Sequence, residues 1–237
     1  MIHNRNNAEA LQQVPFFADL REEELNKLSA RLVPRQFGSG QIIFHHGDPG
    51  GLLYIIRTGK IKITYSTPDG QEALLAILGT NDFFGELALL DDAPRSATAE
   101  AIEATKALTL HRDDFIRFIR NNPDFSLHVL QTLTQRIRNL NNQISDVFFL
   151  DLPARLARVL LNLAEQHGVK TNQGIRVDLS LTQTDLAEMT GATRVSINKA
   201  LGRFRREQWI IVKGRKFTIC DPDAMRDLIQ LSGGALT

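Results

Sequence analysis

One short segment of the chain combines a glycine, a carboxylate, an apolar run and an arginine–serine pair. Gly85 allows the backbone to approach a ligand closely, and a short helix beginning at Glu86 would turn its free amides and positive dipole end toward an anion. Arg95 would supply the matching cation and Ser96 a further donor. Glu86 is also an acceptor beside the anion, and the ligand group that it would bind is best explained as a ribose hydroxyl. The pattern indicates a ligand that carries both a phosphate and a ribose.

A second constellation, residues 182–201, has the pattern of two helices joined by a tight turn. Gly191 would supply the positive φ of the turn, and the small Ala187 would let the helices approach closely. Thr193 would cap the second helix. The residues of the shared core would be Leu186, Ile197 and Leu201. This pattern is typical of a helix-turn-helix, with a helical protein-interaction module as the alternative.

The first turns of the second helix would carry side chains to base edges in a major groove. These side chains belong to Arg194, Val195, Asn198 and Lys199. Arg194 can donate a bidentate pair to guanine, while Ser196 and Thr184 suit phosphate oxygens. Thr182 and Thr193, at the two helix starts, complete this part of the candidate DNA-binding set. A hairpin predicted over 212–219 adds three contacts to the DNA backbone, namely Lys213, Arg215 and Lys216.

Charge is distributed unevenly along the chain. Residues 1–152 carry 15 Lys and Arg against 19 Asp and Glu, whereas residues 153–237 carry 13 against 8. Eight of the basic residues fall between 194 and 216, opposed only by Glu207. A basic C-terminal third suits a polyanion such as DNA, and the alternative is an ordinary solvated helix face.

Length and composition limit the class of protein. The 237 residues fit two domains, with 43% hydrophobic and 23% charged residues. The single Cys220 cannot form an internal disulfide or supply the four thiolates of a typical iron–sulfur cluster. No apolar run is long enough to span a membrane, and the polar residues 1–7 lack the core of a signal peptide. We therefore expect a cytoplasmic protein without a membrane partner.

The elements that position these residues follow from hydrophobic spacing. Helical spacing over 7–32 is followed, from 35 to about 110, by short β-branched runs separated by glycines and by Asp-Pro-Gly and Pro-Asp-Gly turns. This indicates an antiparallel β-barrel or roll. Beyond Pro153 the pattern predicts a helix, a polar loop over 168–174, a short strand, the helix-turn-helix and a β-pair.

Between these two parts, apolar residues recur every three or four positions from Leu127 to Val147. So long and narrow a stripe predicts a coiled-coil seam and therefore a homodimer. The alternative is a single helix packed on its own roll.

The chain as a whole resembles the Crp/Fnr family of bacterial transcription regulators, of the cyclic AMP receptor type. Residues 84–90 and 94–99 look like the phosphate-binding cassette of cyclic-nucleotide-binding domains, and the resemblance runs from about Val14 to Asp221. It implies an α+β fold with a cyclic-nucleotide-binding β-roll domain over 1–122, a long dimerisation helix and hinge over 123–152, and a winged helix-turn-helix domain over 153–237. A regulator is implied, not an enzyme.

Residue by residue, the resemblance implies that Glu86 binds the ribose 2′-hydroxyl, that Arg95 and Ser96 bind the cyclic phosphate, and that amides near Leu87 and Ala88 assist. The expected ligand is cyclic AMP, acting allosterically, with no prosthetic group. The expected partners are double-stranded DNA, a second copy of the chain and RNA polymerase, for which the loop 166–174 is a candidate contact.

Two positions depart from the family pattern. Cyclic-AMP-responsive members reach adenine with a Thr and a Ser or Asn of the long helix, where this chain has Leu140 and Asn141. Leu140 completes the coiled-coil stripe, so Asn141 would carry more of any purine selectivity. The recognition helix has Arg194-Val195-Ser196 in place of Arg-Glu-Thr/Ser, so Val195 would contact a thymine methyl and the half-site would differ from the usual one.

Three other functions fit parts of the sequence. A cupin-type metal enzyme could use His45, His46, His111 and Glu86, but adjacent strand residues point to opposite faces. In a haem sensor, Glu86, Arg95 and Ser96 would have no function. A regulator with the same architecture could answer cyclic GMP or cyclic di-GMP, or bind DNA without a ligand.

Overall fold

The computed structural model of the protein describes residues 11–14, 17 and 20–234. The polar residues 1–7 and part of the helical spacing predicted over 7–32 lie outside the described residues. Within that spacing, helix α1 runs from Glu22 to Ser29. Contacts divide the chain into two compact units, one ending at Ile137 and the other beginning at Arg138.

The first unit contains the predicted β-roll, built from two antiparallel four-stranded sheets. Its strands are β1 Val33–Phe37, β2 Gln41–Phe44, β3 Leu52–Thr58, β4 Ile61–Ser66, β5 Glu72–Leu78, β6 Phe83–Phe84, β7 Thr98–Ala101 and β8 Thr105–His111. The strand orders are β1-β8-β3-β6 and β2-β7-β4-β5. The roll predicted from short, glycine-separated runs is thereby confirmed.

Among the described residues, three further helices accompany the roll, α2 Leu87–Leu90, α3 Arg112–Asn121 and α4 Pro123–Phe149. An aromatic core, including Phe17, Phe115 and Phe125, packs these helices against one face of the first sheet. A second cluster, including Tyr54, Ile61 and Phe84, fills the interior of the roll. Pro123 opens α4, where its missing amide hydrogen costs no helical bond. The cassette therefore begins directly after β6, a strand buried between two cores.

The second unit has one antiparallel sheet and four helices besides the end of α4. Its elements are α5 Leu152–His167, β9 Gly168–Thr171, β10 Gly174–Val177, α6 Gln183–Thr190, α7 Arg194–Arg206, β11 Ile210–Lys213, β12 Lys216–Ile219 and α8 Pro222–Gly234. The strand order is β11-β12-β10-β9. Asp151 caps α5 by accepting a hydrogen bond of 2.9 Å from the Ala154 amide. The predicted α+β fold with a winged helix-turn-helix is confirmed.

The polar loop predicted over 168–174 is wrong. Residues Gly168–Thr171 form the edge strand β9, which pairs in register with β10 from Val177 to Gly174. All four β9 residues are exposed, so the segment lacks the alternation of buried and exposed side chains by which a strand is recognised in sequence.

Among the described residues, no helix is both long enough and apolar enough to cross a membrane.

Candidate anion site and nucleic-acid interface

The cassette backbone requires glycine at its start. Gly85 has φ of 84°, and a Cβ there would lie 2.5 Å from Nη1 of Arg95 and 3.1 Å from the Leu52 carbonyl oxygen. The chain then passes through Glu86, the N-cap of α2. A side chain at Gly85 would be strained and would displace Arg95, so the glycine serves the arginine as well as the turn.

Arg95 is buried, with 4% of its surface exposed. Its Nη1 and Nη2 donate hydrogen bonds of 2.9 Å to the carbonyl oxygens of Gly85 and Leu52, and its guanidinium lies 4.2 Å from the centre of the Phe44 ring. Burial lowers the pKa of Arg95, while Tyr54 and Glu86 oppose the shift. Its Nε is buried without a hydrogen-bond partner among the described residues. Arg95 therefore keeps one N–H donor, at Nε, that can bind a ligand oxygen.

The turn at residues 47–50 is hydrogen-bonded to the backbone of Arg95. The Arg95 amide donates to the Asp48 carbonyl at 2.8 Å, and the Gly47 amide donates to the Arg95 carbonyl at 2.9 Å. A Cβ at Gly50 would lie 2.2 Å from Cβ of Ala88, so this turn also packs tightly on α2. Backbone hydrogen bonds thus attach Arg95 to this turn, and the same turn packs on the helix that carries Leu87 and Ala88.

Glu86 is buried and paired with a residue that sequence reasoning missed. Arg136 of α4 donates from Nη1 to Oε1 of Glu86 and from Nη2 to the Phe83 carbonyl at 3.0 Å. Its guanidinium also lies 4.5 Å from the centre of the Phe83 ring. In the described part of the chain, only Oε1 of Glu86 receives a hydrogen bond, and Oε2 remains for a hydroxyl group.

A signal for Arg136 exists in the spacing of α4. Val129 is buried, and Leu133 packs against the aromatic core between the helices and the first sheet. Arg136 follows at the next position on that helix face. The apolar stripe alone indicates no role for the arginines of this helix. In the structure, α4 has a roll-facing side that is distinct from its exposed stripe.

The remaining cassette residues leave donors available. Ser96 is exposed, and the amides of Leu87 and Ala88 make no hydrogen bond within the described chain. The bonds that close α2 are donated by Leu89, Leu90 and Asp91 instead. Leu140 and Asn141 are both exposed on α4, within the second unit, and Leu140 lies in line with Ile137 and Ile144.

The helix-turn-helix is held by the predicted local interactions. Gly191 has φ of 63°, and Oγ1 of Thr193 accepts from the Ser196 amide at 3.2 Å to cap α7. Thr182 caps α6 through Asp185, with reciprocal hydrogen bonds of 3.1 and 2.7 Å. Thr182 thus has a structural task besides its candidate place in the DNA-binding set.

The start of α7 presents an exposed polar face. Arg194, Val195, Asn198 and Lys199 are exposed, and Val195 is 80% accessible. Ile197, between them, is buried in the core. The Ser196 hydroxyl is 2.9 Å from that of Thr193, and Thr184 is exposed on α6. The four exposed side chains therefore lie on one face of α7, opposite the residues buried in the core.

An interhelical hydrogen bond, also missed from sequence, joins this face to α6. Nε2 of Gln183 donates to Oδ1 of Asn198 at 3.3 Å. Gln183 is the first residue of α6 and is half-buried.

The predicted wing is the hairpin of β11 and β12. Lys213 and Arg215 are exposed near its tip, and the Arg215 carbonyl accepts from the Leu181 amide at 3.0 Å. Lys216 is paired with Asp178 at 3.1 Å. Of the three predicted backbone contacts, Lys216 therefore already has an anionic partner within the protein.

Comparisons with known proteins agree on both units. A cyclic nucleotide-binding domain matches residues 34–122, and a Crp-like helix-turn-helix domain matches residues 154–228. The CRP-like cAMP-activated global transcriptional regulator of Mycobacterium tuberculosis is 37% identical over 217 residues, covering 92% of this chain and 97% of the relative. This chain belongs to the Crp/Fnr family of transcriptional regulators. It is a regulator with a cyclic nucleotide-binding domain.

Solved structures of Crp/Fnr relatives share the fold. A CRP-family regulator from Thermus thermophilus has a TM-score of 0.69 and 25% identity, covering 83% of this chain and 96% of that chain. The c-di-GMP responsive regulator CLP of Xanthomonas campestris has a TM-score of 0.73 and 19% identity, covering 84% and 99%. The second likeness concerns the fold alone.

The histidines considered for a metal enzyme have other surroundings in this Crp/Fnr member. The His46 ring lies edge-on to Tyr65, 4.9 Å between centroids, and the His45 amide donates to the Asp48 carboxylate at 2.8 Å. Within the described ranges, no group of three or more His, Cys, Asp or Glu side chains is arranged to hold a metal ion.

Proposed function

We propose that this Crp/Fnr-family regulator binds cyclic AMP in the cassette of the first unit and that the bound nucleotide controls DNA binding by a homodimer. The observation that carries the ligand proposal is the pair of buried, opposite charges Arg95 and Glu86. Each is held by protein contacts that leave one atom unused, Nε of the arginine and Oε2 of the glutamate. An anion beside a ribose hydroxyl supplies what both atoms lack.

Cyclic AMP is preferred among nucleotides on two grounds. The Mycobacterium tuberculosis relative is described as cAMP-activated, and Asn141 offers both a donor and an acceptor for a purine edge. The cassette residues recognise the cyclic phosphate and ribose, which cyclic GMP shares. The comparison ligands in any binding experiment are therefore cyclic GMP and cyclic di-GMP.

The dimer proposal rests on the unpartnered apolar face of α4. Six side chains along one stripe are each more than half exposed, namely Leu127, Leu130, Ile137, Leu140, Ile144 and Val147. Their spacings of three, four and seven residues are those of a coiled-coil seam. A second copy of the chain, aligned along the same helix, would bury them, and two recognition helices would then meet a palindromic DNA site.

Ligand-independent DNA binding is a second candidate. It is favoured by Leu140, which continues the apolar stripe at a position where cyclic-AMP-responsive members of the family use a polar residue. A coiled-coil seam that is apolar at this position would pair with its partner helix without a bound nucleotide.

One experiment separates these candidates. Fluorescence anisotropy would follow binding of the full-length protein to a duplex recovered by binding-site selection, with and without each nucleotide. The proposal predicts that cyclic AMP increases DNA affinity at least about tenfold, a coupling within the usual range for allosteric ligands. Glu86→Gln should reduce that increase, while equal affinity with and without nucleotide would support the ligand-independent candidate.

A further inference from the structure

The exposed face of α7 contains one amide side chain, Asn198, whose orientation the protein controls. An asparagine amide carries donors on Nδ2 and acceptors on Oδ1, and rotation of the amide plane exchanges their positions. A freely rotating Asn198 could therefore pair with a base that offers an acceptor or with one that offers a donor. Any group that fixes the amide plane also fixes which bases it can read.

Gln183 is that group in this structure. Its Nε2 donates to Oδ1 of Asn198 at 3.3 Å, so Oδ1 faces α6 and the two Nδ2 hydrogens face away from it. The backbone of Gln183 lies at the capped start of α6, where Thr182 and Asp185 exchange hydrogen bonds around the helix N-terminus. A capped helix end thus carries the donor that orients a side chain of the neighbouring helix.

Asn198 belongs to the face that contains Arg194 and Val195. It lies four residues after Arg194 and three after Val195, the separations at which helical side chains are neighbours. All three are exposed, whereas Ile197 and Leu201 are buried. A duplex that is read by Arg194 and Val195 would therefore also meet Asn198.

We propose that Gln183 is a positioning residue for Asn198, and that the pair makes Asn198 a donor-only reader of one base pair in each half-site. This inference rests on the proposed DNA binding by α7. Donors facing a major groove match guanine best, with two acceptors at N7 and O6, and also meet the single acceptors O4 of thymine and N7 of adenine. They do not match cytosine, which presents only its N4 amino donor.

Binding-site selection with the full-length protein, with and without cyclic AMP, tests the proposal. On the strand that Asn198 faces, the wild type should prefer guanine and select against cytosine at one base pair, which is the position whose preference Asn198→Ala removes. Gln183→Ala should weaken discrimination at this position about fivefold or more and leave other positions unchanged. The double variant Gln183→Ala, Asn198→Ala should discriminate no worse at this position than Asn198→Ala alone, because the two residues act as one unit.

Gln183→Glu gives the sharper result. A carboxylate only accepts hydrogen bonds, so it would draw Nδ2 of Asn198 toward α6 and turn Oδ1 toward the DNA. Preference should then move to cytosine or adenine, whose amino groups donate. Gln173→Glu, at the exposed hairpin between β9 and β10, is the matched control for added charge and should keep the wild-type motif.

The outcomes distinguish this inference from the proposed function. Selection of the wild-type motif by Gln183→Ala would contradict the inference alone. So would independent, additive effects of Gln183→Ala and Asn198→Ala, because Gln183 would then contact DNA by itself. Failure of the wild type to bind any duplex, with or without cyclic AMP, would overturn the proposed function and this inference together.

Discussion

Arg136 donates a hydrogen bond to Oε1 of Glu86, so the buried carboxylate of the cassette is paired with a cation from α4. The two residues are 50 positions apart in the chain, and the Glu86 side chain is only 4% exposed. Pairing orients the carboxylate and leaves Oε2 unbonded by the described protein. The long helix is therefore part of the ligand site through a residue of the same chain.

Arg136→Ala should destabilise the protein and weaken nucleotide binding. The buried Glu86 carboxylate loses its partner, which costs about 1–3 kcal/mol of unfolding free energy, toward the lower end because Arg136 is 38% exposed. Urea unfolding and titration calorimetry measure the two effects. Combining Arg136→Ala with Glu86→Gln should recover part of the stability, since a neutral amide needs no cation. A double variant as unstable as the sum of the single variants would contradict this pairing.

Local signals explain which parts of the fold were predictable. The helix-turn-helix was read correctly because Gly191 at the turn and Thr193 at the cap each act within four residues. Strand β9 was missed because all its residues are exposed and its pairing with β10 leaves no mark in the sequence pattern.

The candidate sites likewise combine residues that are close together in the sequence with partners from distant segments. Gly85, Glu86, Arg95 and Ser96 form a compact motif that sequence reveals. The partners that orient such residues come from distant segments, as Arg136 does for Glu86 and Asp178 for Lys216. Those contacts depend on packing between elements, which residue spacing specifies only where one face of a helix is already known to be buried.

Dimer formation should depend on Ile137 and Leu140, which are 58% and 53% exposed on the stripe. Replacing both with glutamate would place like charges in the seam, so we expect monomers that no longer bind a palindromic duplex. Leu133 is unsuitable for this test because it packs against the core of its own roll. Leu231→Glu, at an exposed leucine of α8, is the control. Analytical ultracentrifugation should show a wild-type dimer, and a wild-type monomer at micromolar concentration would exclude the seam.

Asp146 should give stability a defined pH dependence. It lies 3.6 Å from Nε of Arg158, and burial raises its pKa, with Arg158 and Arg155 opposing the shift. A raised pKa means that the folded state binds the proton more readily than the unfolded state. The contribution of Asp146 to the free energy of unfolding therefore grows as pH falls from the raised pKa toward the ordinary value of about 4, and is lost as pH rises.

Asp146→Asn removes this titration and isolates the effect. Urea unfolding of both proteins at several pH values gives the difference in free energy of unfolding, wild type minus variant. This difference should increase as pH falls through that window. A decrease would mean that the ion pair with Arg158 outweighs burial.

Val195→Glu should change one position of the DNA site. The exposed valine offers only apolar contact, for which a thymine methyl is the partner, whereas glutamate accepts from the amino group of cytosine. Binding-site selection should therefore shift toward cytosine at one base pair, by about 1–3 kcal/mol of discrimination. Nucleotide affinity should not change. Identical motifs from the wild type and the variant would remove Val195 from the base-reading residues.

Titration calorimetry of the full-length protein with cyclic AMP tests the central claim most directly, with cyclic GMP and cyclic di-GMP as comparison ligands. We expect one cyclic AMP per protomer. Ser96→Ala should weaken binding by about 0.5–1.5 kcal/mol with unchanged unfolding, because its hydroxyl is exposed and bonds to nothing in the described protein. Arg95→Ala should weaken binding by about 1.5–3 kcal/mol or more. Wild-type affinity in Arg95→Ala, or binding of none of the three nucleotides, would contradict the account.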